Sequence, residues 1–99
     1  MRETVARALA LAAPPTVEAI GLLVDVLRGH TELMVREVEP RALDQAGELP
    51  GALALACVGE ARRKLGIEPR SAVSSQLAYG RRLARVLKAL CDHHERLKP

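Results

Sequence analysis

The side chains at Val17, Ile20, Leu23, Val24, Leu27, Thr31, Met34, Val35 and Val38 follow a three-and-four spacing, which places them on one face of a single helix. From Thr16 to Glu39 such a helix is roughly 35 Å long at about 1.5 Å per residue, and its stripe has to be covered by other parts of the chain. Thr16 is a capping residue at its start, and Glu18 lies favourably in the first turn. Gly21 and Gly29 fall off the stripe, where each weakens the helix by roughly 1 kcal/mol against alanine without interrupting its face. Pro40 is expected to stop it, because proline lacks the amide that a helix interior needs.

The rest of the chain is punctuated in the same way. Pro14-Pro15 closes a short first helix, since proline also disfavours helical geometry in the residue before it. Residues 41–49 mix charges with Gly47 and read as a loop. Pro50 suits the first turn of a third helix, and Gly66 suits the left-handed position just past its end. Between them Ala54, Cys57, Val58, Ala61 and Leu65 form an inward stripe, while Glu60 and Lys64 pair one turn apart on the outside. Ala56 and Gly59 are small enough to admit a neighbouring helix closely. After the connection Ile67-Glu68-Pro69, a fourth helix starts near Ser71. It turns Ala72, Gln76, Tyr79, Leu83, Val86 or Leu87, Leu90, His94 and Leu97 inward, and Arg81, Arg85, Lys88 and Asp92 outward. No strand-like alternation and no internal repeat interrupts this pattern. The expected fold is therefore all-α, a small antiparallel bundle of four helices at about 2–12, 16–39, 50–65 and 70–97, in a single domain over residues 1–99.

Composition supports this and adds a constraint. The chain is 48% hydrophobic but has no Phe or Trp, and Tyr79 is its one aromatic residue. Ala, Leu and Arg lead the helix-propensity ranking, whereas strand formers are scarce. Alanine-rich stripes let helices approach closely, but each contact buries little. Two long amphipathic helices over a thin core favour self-association, so a homodimer is expected. The start of the chain imitates a secretion leader at Ala8-Leu9-Ala10 and Ala10-Leu11-Ala12. Its apolar run is only about six residues against the roughly 7–15 required, and Glu3 sits where a leader is basic. No segment approaches the roughly 18 apolar residues of a membrane span. A cytoplasmic protein without a membrane partner is expected, with Cys57 and Cys91 as thiols.

Five chemically capable residues, Cys91-Asp92-His93-His94-Glu95, close the last helix. At about 100° per residue they diverge: Cys91 and His94 turn toward the core side, His93 takes the other edge, and Asp92 with Glu95 faces water. Asp92 is expected to pair with Lys88 and Arg96, one turn away on either side. A metal site needs three or four ligands, so the candidates are Cys91 and His94 joined across the bundle by Cys57 and His30. Against this, a free cysteine packs as a small hydrophobe and a histidine on an apolar flank finds a hydrogen-bond partner. There is no Gly-rich phosphate loop, nucleophile elbow or pair of inward carboxylates. No catalytic residue and no cofactor is assigned, and an enzyme has little support.

Charge is divided unevenly. Residues 1–50 carry five basic and eight acidic side chains, residues 51–99 ten basic and four acidic. Arg62, Arg63 and Lys64, with Arg81, Arg82, Arg85 and Lys88, form a basic surface able to neutralise phosphates or to complement Glu32, Glu37 and Glu39 on the long helix. The last two helices match a helix-turn-helix only loosely, because the second is too long and begins without Asn or Gln suited to base edges. Nucleic acid is thus an alternative partner, not the favoured one.

Leu27-Arg28-Gly29-His30, the run Ala54-Leu55-Ala56-Cys57-Val58-Gly59-Glu60-Ala61-Arg62-Arg63, and Leu83-Ala84-Arg85 with Ala89-Leu90-Cys91-Asp92-His93-His94-Glu95 resemble a small actinobacterial family of natural product biosynthesis proteins. The resemblance spans about Pro15 to Leu97. It implies a role in the specialised metabolism of streptomycete-like bacteria, and no defined reaction, cofactor or catalytic residue. Together these readings describe a non-enzymatic helical interaction protein, an accessory or regulatory partner in that metabolism. The alternatives are a small-ligand or metal-binding protein using the bundle core, and a basic nucleic-acid-associated regulator.

Overall fold

Thr16 caps the long helix as its sequence indicates, its Oγ1 accepting from the Ala19 amide at 3.2 Å. The computed structural model describes residues 1–9 and 16–99, with side chains at 1–5 and 16–99. Helix α1 spans Arg2–Leu9, α2 Val17–Asp44, α3 Leu49–Leu65 and α4 Val73–Arg96, with no strand among the described residues. The break expected at Pro14-Pro15 and the end of the first helix near residue 12 lie outside the described residues.

Pro40 does not end α2, which runs on to Asp44 and absorbs the first four residues of the expected loop. The proline sits on the exposed side, so the carbonyl it leaves without an amide partner, that of the exposed Arg36, is available to water. Burial of Ala42 on the opposite side holds the final turn. Two other termini differ from expectation. Gly66 caps α3 in right-handed geometry, φ −79° and ψ −6°, and no described residue has positive φ. Helix α4 begins at Val73 rather than near residue 70, with Ala72 before it and no side-chain cap.

Helix α2 rests on both α3 and α4, which also pack on each other, and α1 lies on α4. Short connections make consecutive helices antiparallel, so α2 and α4 run in the same direction. Arg28 meets Tyr79 near one end of that pair, and Arg41 meets His94 near the other. Beyond α4, the Gln45 side chain accepts from the Lys98 amide at 3.1 Å and donates to the Lys98 carbonyl at 2.9 Å. The body measures 45 × 24 × 17 Å, its long axis close to the roughly 42 Å of a 28-residue helix.

The core follows the stripes read from the sequence. Leu27, Val38, Val58, Leu83, Leu87 and Leu90 are among the fully buried side chains. Thr31 is buried too, its hydroxyl donating to the Leu27 carbonyl at 2.6 Å. Val17 is exposed, contrary to its place on the stripe. The small residues sit differently from expectation. Ala56 is exposed, and a Cβ at Gly59 would meet only the Arg63 guanidinium at 3.7 Å, so neither admits a neighbouring helix. The close approach is at Gly51, where an added Cβ would lie 2.0 Å from the Gln45 carbonyl oxygen and 3.0 Å from that of Ala42. Among the described residues no helix is long and apolar enough to cross a membrane.

Candidate functional site

The four proposed metal ligands do not converge. Among the described residues no group of three or more His, Cys, Asp and Glu side chains could hold a metal ion. His94 is half-buried, and its Nε2 lies 3.1 Å from Nη1 of Arg41. A guanidinium only donates, so that nitrogen accepts and the ring proton sits on Nδ1. Cys57 and Cys91 are free and buried. Burial pushes the Cys57 thiol up to about 11, with the Glu60 charge adding to the effect. Burial also raises Cys91, against the opposing charge of Arg2, and its thiol donates to Sδ of Met1 at 3.8 Å. Neither thiol has the lowered pKa of a nucleophile. His30 is half-buried, with its Nδ1 buried and unpartnered among the described residues.

The Cys91–Glu95 cluster has a partner that its helical wheel does not show. Arg2 of α1 donates to Asp92 Oδ1 at 3.2 Å and to Glu95 Oε1 at 2.7 Å, while Lys88 reaches Asp92 Oδ2 at 3.2 Å. The Lys88 pair is the expected one, and Arg2 stands where Arg96 was expected. The Lys88 hydrogen bond, joined by that of Arg2, holds the Asp92 carboxyl below its usual range. The two acids therefore fasten α1 to α4 instead of facing only water.

Much of the basic surface is internally matched. Arg62 forms a two-point pair with Glu39, one bond being 2.6 Å from Nη2 to Oε1, and this pairing was among the readings of its charge pattern. Lys64 lies 3.4 Å from Glu60. Arg63, Arg82 and Arg85 are exposed and form no ion pair among the described residues, and Arg81 is half-buried. Arg82 and Arg85 flank an open cleft of ≈ 400 Å³ between α3 and α4, together with Glu60, Lys64, Val86 and Ala89.

A second cleft, of ≈ 320 Å³, is lined by Asp25, Arg28, Glu68, Gln76 and Tyr79 among others. At its base Arg28 donates to the Leu65 carbonyl at 2.8 Å, and the Tyr79 hydroxyl donates to the Lys64 carbonyl at 2.7 Å. These bonds add side-chain donors to carbonyls in the last turn of α3, the Lys64 carbonyl also accepting from the Ile67 amide at 3.2 Å. The arrangement is structural: it anchors α3 to α2 and α4.

The feature absent from the sequence reading is the outside of α2. Ala19, Leu22, Val26, Gly29, Leu33, Arg36, Pro40 and Leu43 are all exposed and alternate three and four residues apart, the a/d spacing of a helix-pairing seam. Leu22 is 68%, Val26 44%, Leu33 46% and Leu43 60% exposed. Gly29 in the middle of the seam has no atom of a described residue within 4 Å of a Cβ position, so none of the described residues packs there. Glu18, Asp25 and Glu32 border one edge at seven-residue intervals, and Glu37 and Asp44 border the other, all exposed. Helix α2 thus has two opposed apolar faces, and the bundle covers one.

No curated protein and no solved structure matches the chain. Comparison with protein families gives a match over residues 1–99 to the Family of unknown function (DUF6415). The chain belongs to that family.

Proposed function

We propose that this is a non-enzymatic helical interaction protein of the cytoplasm, an accessory or regulatory partner in actinobacterial specialised metabolism. The observation that carries the interaction reading is the exposed seam on α2. Isolated surface leucines are ordinary, but a line at heptad spacing on a folded helix that is apolar except at Arg36 marks a place for another helix. The metabolic setting rests on the resemblance of residues 27–30, 54–63, 83–85 and 89–95 to natural product biosynthesis proteins.

The test is co-purification of the full chain with the products of the genes beside its own, compared with a Leu22→Glu, Leu33→Glu chain. Both sites are exposed, so the variant is expected to fold. The expected result is an association, with another chain or a second copy, that the wild type forms and the variant loses. Identical behaviour of the two chains would remove the reading.

A second reading has its own observation in the α3–α4 cleft, where Arg82 and Arg85 stand one turn apart without ion pairs among the described residues. Guanidinium groups so placed suit phosphate or carboxylate oxygens. A nucleic-acid role of this face predicts retardation of random duplex DNA in a gel at low salt, lost in Arg82→Ala, Arg85→Ala. No retardation would discard it.

A further inference from the structure

We infer that the α2 seam receives a basic amphipathic helix of another polypeptide. The inference rests on the interaction reading above and adds the chemistry of the partner. The seam lies between edges of one sign: Glu18, Asp25 and Glu32 on one side, Glu37 and Asp44 on the other. None of these five carboxylates forms an ion pair among the described residues. The chain as a whole carries a formal net charge of +3, so the acidic character belongs to this face and not to the molecule.

Residues at the edges of a helix-pairing seam set partner choice by charge. A second copy meets repulsion in either direction. An antiparallel pair that sets Ala19 against Leu43 and Gly29 against Leu33 brings Glu32 beside Glu32, and a parallel pair brings Glu32 beside Glu37. A helix with Lys or Arg along both edges meets five carboxylates that have no ion-pair partner among the described residues. Arg36, the one charged residue within the seam, leaves room for a single acid on that partner. Gly29 leaves a recess at the middle of the seam, where a large apolar side chain of the incoming helix can seat.

The probes are two synthetic helical peptides of about three heptads with Leu at the a and d positions, one with Lys and the other with Glu at the edges. Binding of each to the full chain is followed by calorimetry at low salt, alongside the mass of the chain by light scattering. The Lys peptide is expected to bind and the Glu peptide to bind at least about tenfold more weakly, although overall charge favours the reverse. Leu22→Ser with Leu33→Ser is expected to weaken the Lys peptide by about tenfold or more, and Glu18→Lys with Glu32→Lys to turn the preference toward the Glu peptide. Equal binding of the two peptides, or indifference to Glu18→Lys and Glu32→Lys, overturns the inference. If the wild type is a dimer that Leu22→Ser and Leu33→Ser dissociate, the occupant is a second copy. The basic partner is then wrong while the interaction reading stands. If those variants change neither peptide binding nor mass, both fall.

Discussion

Nη1 of Arg28 donates to the hydroxyl of Tyr79 at 2.5 Å, and the same hydroxyl donates to the Lys64 carbonyl at 2.7 Å. Three helices meet at that oxygen. Tyr79→Phe keeps the ring and removes the oxygen, leaving Arg28 and Lys64 each short of a partner. A loss of about 1 kcal/mol in urea unfolding is expected. Arg28→Ala is expected to cost more, because the Leu65 carbonyl also loses its donor.

The same phenol reports on pH. Burial raises the Tyr79 pKa above its ordinary 10.0, although Arg28 opposes the shift. The neutral phenol is favoured in the fold, so this stability is complete below 10.0 and is lost as pH rises through the elevated value. Tyr79 is the one aromatic residue, which lets ultraviolet titration follow it without interference. The folded chain should titrate later than the urea-unfolded chain.

Gly51 and Gly59 are expected to respond oppositely to alanine. At Gly51 the added methyl would collide with the Gln45 backbone, so Gly51→Ala should destabilise by more than about 1 kcal/mol. At Gly59 it would meet only a mobile guanidinium at 3.7 Å, and helix propensity should then raise stability by roughly 0.5–1 kcal/mol. Thermal melts of the two variants decide the point.

The hydrogen bonds from Arg62 hold Glu39 below its ordinary 4.5. A depressed carboxylate stabilises above its unfolded pKa, and that contribution disappears as pH falls through the folded value. The stability difference between wild type and Glu39→Gln should therefore be present at neutral pH and vanish on the acid side of 4.5. High salt should reduce it at neutral pH, since the pair is surface-exposed.

Cys57, with its thiol raised to about 11, should resist a water-soluble aromatic disulfide in the native state and react quickly in urea. Fast modification of the native chain would contradict its burial.

The inner faces were legible from sequence because a covered stripe leaves a strong three-and-four pattern. Leu27, Leu83, Leu87 and Leu90 are where that pattern puts them. Local rules were weaker guides to helix ends. Proline usually stops a helix, whereas the exposed side of α2 tolerates Pro40. Gly51 carried no mark to separate it from Gly59, because a backbone approach between the end of α2 and the start of α3 depends on the packing angle. The Arg2 pairs were hidden for a related reason, since they join residues 90 and 93 positions apart. The α2 seam was written in the sequence at Leu22, Val26, Gly29 and Leu33, yet the stronger inner stripe of the same helix masked it. Opposed apolar faces cancel in any measure that seeks one.

Helix α2 touches each of the other three helices, and this bears on how the chain folds. The buried side chains of α2, α3 and α4 form one cluster, so taking α2 away uncovers that core. The chain therefore has no half that persists alone, and unfolding is expected to be a single cooperative step, with amide exchange in α2, α3 and α4 converging on one opening energy.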